Sequence, residues 1–234
     1  RYSPPYSEAY YNRAGVLSDL GRDGEALDDY NYVLDLEPEN LDALINRASI
    51  LYERGDYEAA RQDVDYGLTL NANSAQLLCT RGLLAMAEGK NDAAHQALSA
   101  AIAHDACLSA AWSNRAIIAF ERGDLDAAIN DLCSALALEE STPLLYNRGL
   151  AYQAKELWQQ AIEDFARAIA LSNDDADTQD MVFQRGRCYL QIGQHEQAKQ
   201  DFATLLQLGN ELYVDEIRKL EPAFSVAATQ KLMQ

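Results

Sequence analysis

Apolar residues fall at helical spacing in short stretches, each broken near a glycine and followed by a second such stretch. Leu44, Ala48 and Leu51 sit at i, i+4 and i+7, on one face of a helix. Gly55-Asp56 interrupts that helix, because glycine accepts the left-handed conformation that ends one. Ala60, Val64, Gly67 and Leu68 then outline a second amphipathic helix. The pair predicts a helical hairpin. Pro38 closes an earlier stretch, since proline cannot continue a helix interior.

The hairpin recurs. Asn12-Arg13-Ala14 returns as Asn46-Arg47-Ala48, Thr80-Arg81-Gly82, Asn114-Arg115-Ala116, Asn147-Arg148-Gly149 and Gln184-Arg185-Gly186. Gly21, Gly55, Gly89, Gly123 and Gly193 follow in register, with Glu156 standing in the fifth place. Ala26, Ala60, Ala94, Ala128, Ala161 and Ala198 keep a third register, thirteen residues after each arginine. The units are 7–40, 41–74, 75–108, 109–141, 142–175 and 179–212. Residues 1–6 with Pro4-Pro5 read as an extended lead-in. Residues 213–234, carrying Tyr213, Ile217, Leu220, Phe224 and Leu232 without a seventh hairpin pattern, read as a capping helix divided near Pro222. Ala176, Asp177 and Thr178 precede the sixth unit and are expected to lengthen a loop. Each hairpin buries its apolar face only against its neighbours, so a stack of this kind needs caps at its ends.

This pattern resembles the tetratricopeptide repeat family over residues 7–212. Counting each unit from its first residue, position 4 holds Tyr10, Leu44, Leu78, Trp112, Leu145 and Val182, and position 24 holds Tyr30, Val64, Leu98, Leu132, Phe165 and Phe202. Position 8 is small and position 20 is alanine throughout. The resemblance implies an all-α, right-handed α-solenoid of six helix-turn-helix repeats with a C-terminal cap. It also implies that the first helices line a concave groove.

Positions 2, 5, 9 and 12 share one helix face, and the resemblance places that face in the groove. It carries Tyr11, Ile45, Cys79, Tyr146 and Phe183 at position 5, Leu83, Ile117 and Leu150 at position 9, and Tyr52, Met86, Phe120 and Leu190 at position 12. An apolar stripe facing solvent is an interaction surface. The alternative is a structural assembly subunit whose groove is filled by its own C-terminal segment or by a second copy, as in a homodimer. Asn12, Asn46, Asn114 and Asn147 stand at position 6. In relatives with long superhelices such a ladder holds a peptide backbone, since an amide both donates and accepts. Local capping or packing of these asparagines is the other reading. Chaperone adaptors of this family grip a C-terminal carboxylate with basic side chains across three units. Here the first window offers Tyr11, Gly15, Asn46, Gln76 and Thr80, so no such clamp is expected.

Charge narrows the partner. The chain of 234 residues has a net charge of −18, with 37 acidic residues against 19 Lys and Arg. A nucleic-acid binder needs a basic footprint, so no nucleic-acid partner is expected. Asp19, Glu53 and Glu121 flank the stripe, which favours a protein or peptide partner that is apolar with basic flanks. Position 23 carries Asp29, Asp63, Asp131, Asp164 and Asp201 against the repeated arginines, with Ala97 the exception. Structural ion pairs are therefore expected, and Arg81 is the arginine expected to be free.

No apolar run approaches the roughly 18 residues of a membrane helix, so no direct membrane insertion is expected. A cytoplasmic location is the expectation. A periplasmic or membrane-anchored one stays open, because the chain starts at Arg1 and not at Met. Cys79, Cys107, Cys133 and Cys188 lie within apolar segments and read as buried free thiols. No H-E-x-x-H, G-x-S-x-G or P-loop string occurs, and His95, His104 and His195 are scattered. The chain is read as a scaffold or adaptor, not an enzyme, with no cofactor and no metal.

Overall fold

The protein was analysed as a computed structural model, which describes residues 6–173, 175–208, 213–215 and 217. The expected lead-in at 1–5 and most of the expected cap at 218–234 lie outside the described residues. The described secondary structure is helical. First helices α1 (Ser7–Asp19), α3 (Leu41–Glu53), α5 (Ala75–Ala87), α7 (Ser109–Glu121), α9 (Thr142–Ala154) and α11 (Asp175–Gln191) alternate with second helices. The second helices are α2 (Asp23–Leu36), α4 (Tyr57–Leu70), α6 (Asn91–His104), α8 (Leu125–Leu138), α10 (Trp158–Leu171) and α12 (His195–Leu208). The fold is an all-α solenoid of helical hairpins.

The punctuation is as the sequence predicts. The turn between first and second helix runs through the left-handed region, with Gly55 at φ 81°. Glu156 adopts φ 60° at the same place in the fifth repeat, where a Cβ is strained. The Asn40 and Ser74 side chains accept from the backbone N–H of Ala43 and Leu77 and cap α3 and α5. Asp56 and Asp124 cap α4 and α8 in the same way. Ala176, Asp177 and Thr178 do not lengthen a loop. They join the N-terminus of α11, which begins at Asp175 and runs 17 residues where the other first helices run 13. Nothing in that stretch breaks a helix, so the extra residues extend the turn they precede.

The chain divides into two compact units within α7, after Ile118. In the first unit, a core of Val64, Leu77, Leu98 and Ile118 joins the second and third repeats to the first helix of the fourth, and Ala14, Ala26, Tyr30 and Val33 fill the first. In the second unit, Phe165, Ile162 and Cys188 form one cluster. Phe202, Phe183 and Leu205 form another, against which Tyr213 and Ile217 of the C-terminal segment are buried. Positions 8, 20 and 24 are the hairpin's closest approach. All six position-20 alanines are fully buried. At position 8 the position-24 side chain leaves little room: a Cβ on Gly149 would stand 2.7 Å from Phe165 Cε1 and one on Gly186 2.5 Å from Phe202 Cε1.

Candidate functional site

The arginine ladder is structural. Arg13, Arg47, Arg148 and Arg185 each bind the position-23 aspartate of their own hairpin through Nε and Nη2, as with Arg148 at 2.7 Å on both oxygens of Asp164. The charge-assisted fork holds the Arg148 and Arg185 guanidiniums firmly protonated, against the opposing effect of burial. A third contact reaches back one repeat to position 25. Arg47 donates to Asn31 at 2.7 Å, Arg115 to Ser99 at 3.1 Å and Arg148 to the Cys133 sulfur at 3.3 Å. Arg47 and Arg148 thereby each clasp one hairpin and staple it to the preceding one. Arg81, expected to be free, is not. With alanine at its own position 23 it pairs with Asp65, at position 25 of the preceding repeat, at 3.0 Å. Position 25 holds Asn31, Asp65, Ser99 and Cys133 in the first four repeats, short polar residues of no single type.

The first-helix face is less open than the sequence suggests. Cys79 and Phe183 are buried, so neither faces solvent. Phe183 packs on Phe202 and Tyr213, with ring centroids 6.1 and 5.3 Å away. Tyr11, Ile45, Tyr52, Leu83, Met86, Ile117, Tyr146, Leu150 and Leu190 are half-buried and Phe120 is exposed. Tyr11, Ile45, Tyr52 and Met86 pack against the cores of the first unit, and Tyr146, Leu150 and Leu190 against those of the second. Burial pushes the Tyr52 phenol above its ordinary value.

The amides do not act alike. Asn46 donates to the Tyr11 hydroxyl at 3.1 Å. Asn114 donates to the Ala110 carbonyl of its own helix at 2.7 Å. Local packing claims these two. Asn12 is exposed, and Asn147 lines a cavity. Asp19 and Glu53 are exposed on the ends of α1 and α3.

Three hollows mark this face. In the second unit a cavity of about 520 Å³ lies among Thr142, Tyr146, Asn147, Asn173, Asp177 and Asp180. The Tyr146 hydroxyl donates to the Asp180 carboxylate, and Gln184 donates to its other oxygen at 3.4 Å. Burial, and then Asp180, raises the Tyr146 phenol well above the usual tyrosine value. In the first unit a cavity of about 210 Å³ occupies the corresponding place beside Tyr11, walled by Glu8, Glu37, Asn40 and Asp42. At the other end of α9, a hollow of about 280 Å³ has Phe120, Leu150 and Trp158 as its apolar lining, with Gln153, Gln191 and Arg187 around them. Arg187 and Gln153 hold stripe positions 9 and 12, where a pattern of apolar residues does not point to them.

The remaining candidates fall elsewhere. Cys79 and Cys188 are buried, with thiols pushed up to about 11 by burial, and Cys133 is half-buried. Cys107 is exposed in the turn before α7, which corrects the expectation that all four are buried; the turn gives its side chain no apolar neighbour helix to pack on. His95, His104 and His195 are exposed. Among the described residues no group of three or more His, Cys, Asp and Glu side chains could hold a metal ion. Nor is any described helix long and apolar enough to cross a membrane.

A sequence model described as a tetratricopeptide repeat matches residues 11–75, 79–143 and 146–211. No curated protein matches the chain in sequence. Among solved structures, pilF of Pseudomonas aeruginosa aligns with a TM-score of 0.79 at 14% identity, over 92% of this chain and 97% of its own. Cut9–Hcn1, an APC/C hetero-tetramer, aligns with a TM-score of 0.77 at 18% identity over 92% of this chain, which spans 43% of that one. PilW, a type IV pilus biogenesis factor, aligns with a TM-score of 0.73 at 18% identity, over 86% of this chain and 93% of its own. At such identities the likeness is one of fold.

Proposed function

The chain belongs to the tetratricopeptide repeat family, and from that premise we propose that it is a protein–protein interaction scaffold whose first helices receive an extended partner segment, apolar with basic flanks. The single observation that carries the reading is a repeated one. In two of the six repeats, one in each compact half of the chain, a position-5 tyrosine stands at a cavity walled by carboxylates: Glu8, Glu37 and Asp42 beside Tyr11, and Asp177 and Asp180 beside Tyr146. A lysine or arginine of the partner entering either cavity gains a charge-assisted contact. The half-buried stripe beside it offers apolar area to the neighbouring side chains. Asn147 at the cavity wall adds a donor and an acceptor for main chain. Proteins of this fold occur in assemblies, the Cut9–Hcn1 hetero-tetramer among them.

The test is fluorescence anisotropy with a labelled peptide of alternating lysine and leucine, its ends blocked, at two salt concentrations. Asp180→Asn combined with Asp42→Asn is expected to weaken binding by about tenfold, the size of a lost charge-assisted hydrogen bond. Salt should weaken it too. A glutamate–leucine peptide bound as tightly, or a double variant indistinguishable from the wild type, refutes the reading.

A further inference from the structure

The hollow at the far end of α9 differs in chemistry from the acidic cavities. Its apolar lining is Phe120, Leu150 and Trp158, and Phe120 is exposed to 38%. About 280 Å³ is room for one large side chain. Arg187 stands at the rim, exposed, with Nη1 donating to the neutral Gln184 amide at 3.1 Å and its guanidinium 6.0 Å from the Phe183 ring. Five other cations of the second unit face carboxylates: Arg148 with Asp164, Arg185 with Asp201, Lys155 with Asp126, Arg167 with Glu140 and Lys199 with Glu196. Among the described residues Arg187 has no carboxylate partner. In a chain of net charge −18 an arginine left so beside an apolar hollow calls for an outside anion.

We infer that this hollow is an anchor pocket for one large apolar side chain of a partner segment whose adjacent residue is acidic and pairs with Arg187. The inference rests on the reading of the first helices as the partner-binding face and adds a second determinant to it. A basic residue of the segment goes to the carboxylate cavity beside Tyr146, and an apolar–acidic pair goes to the Arg187 pocket. Gln153 and Gln191 line the pocket with amides that can meet the segment's main chain.

The protein carries its own reporter, since the chain has two tryptophans, Trp158 in the pocket and Trp112 on α7. The indole N–H signals of the full chain are followed by NMR during titration with end-blocked nonapeptides of glycine and serine bearing a central Phe-Glu, Phe-Gln, Ala-Glu or Phe-Lys. Phe-Glu is expected to move the Trp158 signal and leave Trp112 in place. Phe-Gln and Ala-Glu should bind about tenfold more weakly. Arg187→Glu should reverse the preference, so that Phe-Lys binds better than Phe-Glu. Asp42→Asn should leave Phe-Glu binding unchanged, and Arg187→Gln should leave the lysine–leucine peptide unchanged, which separates this pocket from the acidic cavities. Equal binding of Phe-Glu by wild type and Arg187→Gln overturns the inference, as does a Trp158 signal that no peptide moves. So does a dimer of the free chain that Arg187→Glu converts to monomer in sedimentation, because the occupant is then a second copy.

Discussion

Tyr11 and Tyr146 hold the same place in their repeats, and the following repeat answers them with opposite chemistry. In the first unit the Asn46 amide donates to the Tyr11 hydroxyl. In the second unit the Tyr146 hydroxyl donates to the Asp180 carboxylate. The contacts use different positions of the following repeat, position 6 for Asn46 and position 2 for Asp180, although both repeats carry an aspartate at position 2 (Asp42 and Asp180) and an amide at position 6 (Asn46 and Gln184). Residue type at one position therefore does not decide which contact forms. Two other places keep the geometry and change the surroundings. Arg148 is clasped by Asp164 and by Cys133 of the preceding repeat, with 17% of its side chain exposed, whereas Arg13 opens the series, binds Asp29 and is 61% exposed. Gly55 turns the second hairpin through positive φ without a Cβ, and Glu156 makes the same turn with one. A repeat array repeats its geometry and varies its energies.

The largest expected difference is in the clasps. Arg148→Ala strands the buried Asp164 carboxylate and removes the staple to Cys133, so it should destabilise the protein by about 3 kcal/mol. Arg13→Ala should cost distinctly less, since water already reaches the guanidinium. Chemical denaturation of the two variants checks the order, and equal losses would mean that burial does not set the strength of the clasp.

A smaller effect is expected at the turns. Glu156→Gly should stabilise by about 1 kcal/mol by relieving a left-handed Cβ, and Gly55→Glu should destabilise by a similar amount. Thermal melts of the pair read both signs. If both substitutions shift the melt in the same direction, the turns are not equivalent.

The smallest effect is one of pH. Burial and Asp180 raise the native pKa of Tyr146 above that of the unfolded chain. The stabilisation is therefore complete below about pH 10 and is lost as pH climbs through the raised value. Denaturation midpoints should fall above pH 10 more steeply for the wild type and for Tyr11→Phe than for Tyr146→Phe. A Tyr146→Phe curve parallel to the wild type would place the phenol outside the native hydrogen bond.

The fold was legible because the hairpin's closest approach tolerates few residues. Alanine at position 20 and glycine or alanine before the position-24 side chain are forced by contact, and contact recurs with every unit. The arginine–aspartate pairs were legible for the same reason. The third arm of the clasp was less so, because Asn31, Asp65, Ser99 and Cys133 share polarity and size but no residue type. The candidate site was the least legible. A period locates a face but not its depth, so Cys79 and Phe183 counted as open stripe when inter-repeat packing buries them. Asn46 and Asn114 counted as a ladder when Tyr11 and the Ala110 carbonyl already engage them. Arg187 is invisible to an apolar pattern although it stands at a stripe position and carries the charge beside the hollow of Phe120, Leu150 and Trp158.

The central claim is that partners bind on the first helices, at the cavities beside Tyr11 and Tyr146. An amide shift map of the whole chain titrated with the lysine–leucine peptide tests it most directly. The account predicts that the moving signals gather around Tyr11, Asp42, Tyr146, Asn147 and Asp180, with the exposed faces of α4 and α10 silent. Shifts confined to the second helices, or none at peptide concentrations that saturate the anisotropy signal, would contradict it.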